Sequence, residues 1–275
     1  MAKRNSPKAG NKAPDFTADL PPSLHAERRG EIAILRLARP QKRNALDDVL
    51  ILGMERFFMT LPDGIKAVVL HGEGEHFSAG LDLSSLAEAS VAEGVQHSRM
   101  WHEAFNRIQF GKVPVVAVLH GAVVGGGLEL AAAAHIRVAE SSTYYGLPEG
   151  TRGIFLGGGG TVRLPRLIGT SRVMDMMLTG RTLSAEEGQA IGISQYLVKP
   201  KTGLTKAIEL AKQIATNAPM TNFAIMHALP RIAESDPASG YVAEALMAAV
   251  AQGSDEAKSR LKDFLEKRGK KVLHK

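Results

Sequence analysis

The segment VVGGGLELAAAAHIRVAESSTYYGLPEG, Val123 to Gly150, sets a glutamate, Glu129, between two leucines at the start of an alanine-rich run. A second glutamate, Glu149, follows Leu147-Pro148 twenty positions later. A lone carboxylate among apolar side chains is costly unless it is hydrogen-bonded or protonated. Burial also raises a carboxyl pKa toward the range useful for proton transfer near neutrality. Two carboxyls facing one cavity would suit acid–base chemistry. The same residues would also suit a helix cap at Glu129 and a surface turn at Glu149, and spacing alone leaves both readings open.

Two glycine loops could supply the complementary group. Gly125–Gly127 precede the alanine run. Without Cβ atoms they let backbone N–H groups approach a ligand, and a helix N-terminus adds partial positive charge suited to a developing oxyanion. FSAGLDL places Ala79-Gly80-Leu81 after an apolar strand, where an amide could also be exposed. Each loop, taken alone, also reads as an ordinary tight turn.

Other chemistries are excluded by pattern. There is no cysteine, hence no thiolate nucleophile and no disulfide framework. No glycine set fits G-x-G-x-x-G, and GIFLGGGGTVR lacks the Gly-Lys-Ser/Thr of a phosphate loop. HFSAG has His76 where a nucleophile elbow requires glycine, so Ser78 reads as structural. The nine histidines are scattered, with no pair at metal-ligand spacing, so no metal site is expected.

These loops must be carried by a scaffold. EIAILRLARP reads as the first strand, and IKAVVLHG, VPVVAVLHG and HIRVAES as later ones. NALDDVLILGMERFFMTLPDG reads as a helix capped by Asn44, with Leu46, Leu50, Phe57 and Leu61 near one face. In SVAEGVQHSRMWHEAFNRIQ the helical spacing makes Met100, Trp101, Phe105 and Ile108 core rather than cofactor-stacking groups. TSRVMDMMLTG and SAEEGQAIG read as helices, the latter with a Ser184–Glu187 capping box. Beyond Leu204 the pattern turns wholly helical. The expected organisation is a basic disordered tail over 1–23, an α/β core over 24–215 and a helical segment over 216–275.

The chain has 275 residues, 44% of them hydrophobic, and a net charge of +6. Four Lys/Arg fall in the first twelve residues and five in the last nine. The basicity is therefore terminal. With only 5% aromatics, a stacking platform for nucleic acid is not expected. No apolar run approaches membrane-spanning length and no signal peptide is legible, so a cytoplasmic location is expected.

Six segments in order resemble the enoyl-CoA hydratase (crotonase) superfamily: RPQKRNALD, VVLHGEGEHFSAGLDL, KVPVVAVLHGAVVGGGLELAAAAHIRVAES, PEGTRGIFLGGGGTVRLPRLIG, LTGRTLSAEEGQAIGI and DFLEKR. The resemblance covers about Leu24 to Arg268. It implies a spiral of β-β-α units and C-terminal helices that build a homotrimer or a dimer of trimers. It implies an acyl-CoA thioester ligand whose oxygen sits between the backbone amides of Leu81 and Gly126. It implies that Glu129 activates a water toward Cβ and Glu149 protonates Cα, with no metal or redox cofactor; coenzyme A is part of the substrate. It places the CoA moiety near Lys42, Arg43, Asn44 and Ala45, near Ala79, Gly80 and Asp82, and near Lys267. The wall of the acyl pocket is expected from Leu83, Leu86 and the 86–105 segment.

Departures accompany the resemblance. Leu81 replaces a frequent alanine, Gly150 follows Glu149 where a bulkier apolar residue is usual, and Leu156 stands where PGGGG is common. AKSRLKDF lacks the usual EG. They point away from a simple straight-chain fatty enoyl-CoA. The competing readings are a one-base enoyl-CoA isomerase, an RNA-binding homologue and a non-catalytic acyl-CoA binder.

Overall fold

The computed structural model describes residues 19–85 and 90–266. In chain order these form β1 (Leu24–Arg29), β2 (Ile32–Leu37), α1 (Asp48–Met59), β3 (Ala67–Gly72), α2 (Val91–Gln109), β4 (Val115–Leu119), β5 (Ala122–Val124) and α3 (Gly126–Ala133). Then follow β6 (Ile136–Glu140), β7 (Tyr144–Gly146), α4 (Gly160–Ile168), α5 (Thr170–Thr179), β8 (Thr182–Ser184), α6 (Ala185–Ala190) and β9 (Tyr196–Val198). The rest is helical: α7 (Gly203–Ala215), α8 (Pro219–Phe223), α9 (Leu229–Glu234), α10 (Pro237–Gly253) and α11 (Asp255–Leu265).

The inner strands β2, β3 and β4 of the main sheet are near-continuous apolar runs because helices cover both faces. The sheet order is β1-β2-β3-β4-β6-β9, and only the β1–β2 pair is antiparallel. Alternation sorts the side chains. Ala33, Leu35, Val68, Leu70, Val115 and Ala117 face the core shared with α1, α2 and α3. Ile32, Ile34, Ala67, Val69, Val116 and Val118 face Ala207, Leu210 and Ala211 of α7.

A smaller sheet, β5-β7-β8, stacks successive turns of a spiral. β4 pairs with β6 while β5 pairs with β7, both parallel. Isolated parallel bridges, Leu46 with Leu81 and Ser78 with Val123, extend the same line to earlier turns. The loop after each short strand therefore falls on one side of the spiral. This brings residues 80–81 beside 125–126.

Three details differ from the reading of the sequence. EIAILRLARP forms the second strand, because LHAERR precedes it as β1. That edge strand buries only Leu24 fully, so it carries little apolar alternation. Helix α1 starts three residues late: Asp47 is the cap, its side chain accepting from Leu50 N, while Asn44 is fully buried at φ 53°. The wholly helical stretch expected beyond Leu204 includes a π-helical turn, Ala224–Ala228, just before Pro230, whose missing N–H breaks the regular ladder. The Ser184–Glu187 capping box is present. Among the described residues, no helix is long and apolar enough to cross a membrane.

Candidate active site

The 78–82 loop runs against β5. Ser78 N donates to Ala122 O at 3.0 Å, and Val124 N donates to Ser78 O at 3.1 Å. Gly80 has φ +93°, and a Cβ there would lie 2.6 Å from Val124 O. Only glycine allows both the backbone angle and the approach. Ser78 is fully buried, donating to Asn44 O and accepting from Gly80 N. It holds the loop, as its sequence context suggested.

Leu81 N and Gly126 N emerge from this packing as neighbours. A Cβ on Gly126 would lie 3.4 Å from Leu81 N. Neither amide donates to another group among the described residues. Gly126 N also belongs to the first residue of α3, so the helix partial charge adds to its own.

Glu129 lies in the first turn of α3, where every side chain is buried. It is 3% exposed. Its Oε1 accepts from Gly158 N at 2.9 Å and Gly160 N at 2.7 Å, the latter at the start of α4. Burial pushes its pKa up, the two amides and Arg163 pull it down, and nearby Glu149 pushes it up again; burial wins, leaving it at about 7. Glu149 follows Pro148 into a short 3₁₀ turn and is 7% exposed, not a surface residue. Burial raises its pKa also. Its Oε2 is buried without a hydrogen-bond partner among the described residues. The capping-and-surface-turn reading of the pair thus does not describe this site.

Glu129, Glu149, Leu81 and Gly126 line one cavity of about 190 Å³, with Trp101, Ile154, Phe155 and Leu156. From the 86–105 segment His97, Ser98 and Trp101 contribute. Leu83 is not among the lining residues and is 43% exposed. Leu86 lies outside the described residues. So does Lys267.

The remaining candidates are not among the residues that line this cavity. Arg43 is exposed with no ion pair among the described residues, and its carbonyl accepts from Ala79 N. Lys42 Nζ sits 2.9 Å from Asp82, which Arg39 also binds at 2.9 Å. The hydrogen bonds from Ser84 and Lys42 hold the Asp82 carboxyl far below the usual range. Asn44 is fully buried and spends its side chain on Glu73 O, His76 O and Arg39 N, its N–H on Arg39 O and its carbonyl on Ser78 Oγ, so it holds the loop rather than offering a group to a ligand. Ala45 O accepts from Arg39.

Three residues were missed by sequence reasoning. Gly158 and Gly160 hold Glu129, and buried Arg163 pins the loop by donating to Gly158 O, Gln109 and Asn106. The signal was the GGGG run, tested only against phosphate loops and not as a donor set for a carboxylate.

The family model "Enoyl-CoA hydratase/isomerase" matches residues 27–272. The short-chain-enoyl-CoA hydratase of Clostridium acetobutylicum is 31% identical over 88% of this chain and 94% of its own. The 2,3-dehydroadipyl-CoA hydratase of Escherichia coli K12 is 30% identical over 89% of this chain and 96% of its own. Among solved structures, a Rhodopseudomonas palustris CGA009 protein provisionally named enoyl-CoA hydratase is similar at TM-score 0.88 and 55% identity, covering 90% of this chain and 97% of that one. With the crotonase fold and its order of segments in place, the chain belongs to the enoyl-CoA hydratase/isomerase family.

Proposed function

We propose that the protein hydrates the α,β double bond of an enoyl-CoA thioester, giving a 3-hydroxyacyl-CoA. The observation that carries this reading is one cavity lined by two buried glutamates of raised pKa and by Leu81 and Gly126, whose adjacent amides donate to no group among the described residues. Ionised Glu129 takes a proton from water as its oxygen adds to Cβ. Protonated Glu149 delivers a proton to Cα. The electron pair of the double bond passes through the enolate-like oxygen, which Leu81 N and Gly126 N stabilise. Water is consumed and nothing is oxidised or reduced, so these steps call for no cofactor.

In this reading, exposed Lys42 and Arg43 supply the positive charge that meets the phosphates of the CoA moiety. Hydratase-named relatives at about 30% identity support the reaction class. The test is a panel of enoyl-CoA thioesters with products analysed by mass. A gain of one water is the expected result. Unchanged mass with a moved double bond would establish the isomerase instead. Binding without turnover, or RNA binding that CoA displaces, would overturn both.

A further inference from the structure

We propose that Trp101 is the end wall of the acyl subsite and confines the substrate to a short acyl chain. The proposal rests on the enoyl-CoA reading above and extends it to substrate size. Trp101 is the chain's single tryptophan and is 3% exposed. A Cβ on Gly126 would lie 3.0 Å from indole Cζ3 and 3.4 Å from Cη2. A Cβ on Gly158 would lie 3.2 Å from indole Cε3 and 3.1 Å from Glu129 Oε2. One edge of the indole therefore runs from the amide pair to the loop that holds Glu129.

A thioester oxygen on Leu81 N and Gly126 N, with water on Glu129, sets the carbonyl carbon, Cα and Cβ along that edge. The next carbons meet the ring. The ring is backed by Phe105, fully buried and edge-on with centroids 5.6 Å apart, so it has no space to retreat into. Leu156, 5% exposed, closes another side.

Size argues the same way. The cavity, at about 190 Å³, lies below the roughly 300–1,000 Å³ of common small-molecule sites. The indole is also a poor choice for packing alone. Its Nε1 is buried with no hydrogen-bond partner among the described residues, a penalty that a phenyl or leucyl side chain would not carry. What the indole supplies in exchange is width beside the reacting carbons.

The experiment compares wild type, Trp101→Phe and Trp101→Leu. Calorimetry gives affinities for butyryl-CoA and decanoyl-CoA, which do not react, and kcat/KM is measured on four-, six- and ten-carbon enoyl-CoAs. The expected result is that Trp101→Leu shifts the decanoyl-to-butyryl affinity ratio by at least ~10-fold toward the long chain, since even one methylene is worth that much in an apolar pocket. Trp101→Phe should fall between, and turnover should follow the same order. An unchanged ratio in a Trp101→Leu protein with near-normal Tm overturns the wall. Should Trp101→Leu not fold, the Trp101→Phe ratio decides the question. Hydration with an unchanged ratio refutes the wall alone. A shifted ratio in a protein that hydrates none of the thioesters keeps the wall and refutes the hydratase.

Discussion

At Glu129 burial and hydrogen bonding pull proton affinity in opposite directions, and burial prevails. With a pKa of about 7, the side chain can hold or release a proton at neutral pH. If it must be ionised to activate water, kcat/KM rises with pH through about 7, and the limb disappears in Glu129→Gln; a pH–rate profile of both proteins checks this. Stability runs the other way. The folded carboxyl keeps its proton where the unfolded one has lost it, so stability declines as pH rises from about 4.5 toward 7. Thermal melts of Glu129→Gln should lack that decline. Both Glu129→Gln and Glu149→Gln should lower kcat by at least ~10²-fold with little change in acyl-CoA affinity, and the double variant should be far from additive. Single-turnover assays on purified variants read this directly. Near-full activity in Glu129→Gln alone would leave the one-base isomerase.

The loop before α4 turns this proton chemistry into a structural requirement. A Cβ on Gly160 would lie 2.7 Å from Glu129 Cγ and 2.8 Å from its Oε1. Gly160→Ala must therefore push the carboxyl aside. We expect kcat to drop at least ~10-fold while acyl-CoA affinity and Tm stay near normal, because sub-ångström misplacement of a reacting group is enough. The same loop marks how far the sequence was legible. The β3, β4 and β6 segments stood out because strands buried on both faces are apolar throughout. Glu129 stood out because a charge inside such a run is anomalous. LHAERR escaped notice because an edge strand needs little apolar surface. The start of α1 slipped from Asn44 to Asp47 because Asn44 spends its amide on a distant loop, a long-range bond invisible to local capping rules. Arg163 was missed for the same reason, since its partners Gln109 and Asn106 lie more than fifty residues away.

At the scale of the molecule, the C-terminal helices expose an apolar face that the described residues do not cover. α10 carries one charged residue, Glu244, in seventeen. Tyr241, Val242, Leu246 and Val250 are each more than half exposed, and Leu261, Phe264 and Leu265 of α11 join them. Phe223, Ile232, Leu246, Met247 and Val250 line a groove between α8, α9 and α10. Contiguous apolar surface of this kind marks an association site. The C-terminal helices of the family resemblance set the expected state: a trimer, or two trimers paired. We predict that light scattering at micromolar concentration finds that mass for the full chain. Leu246→Glu should place a desolvated charge in the contact and shift the population toward monomer, with circular dichroism of the monomer still showing the α/β core. A wild-type chain that stays monomeric at that concentration would reject the assembly. A Leu246→Glu protein that keeps the wild-type mass would place the contact on another face.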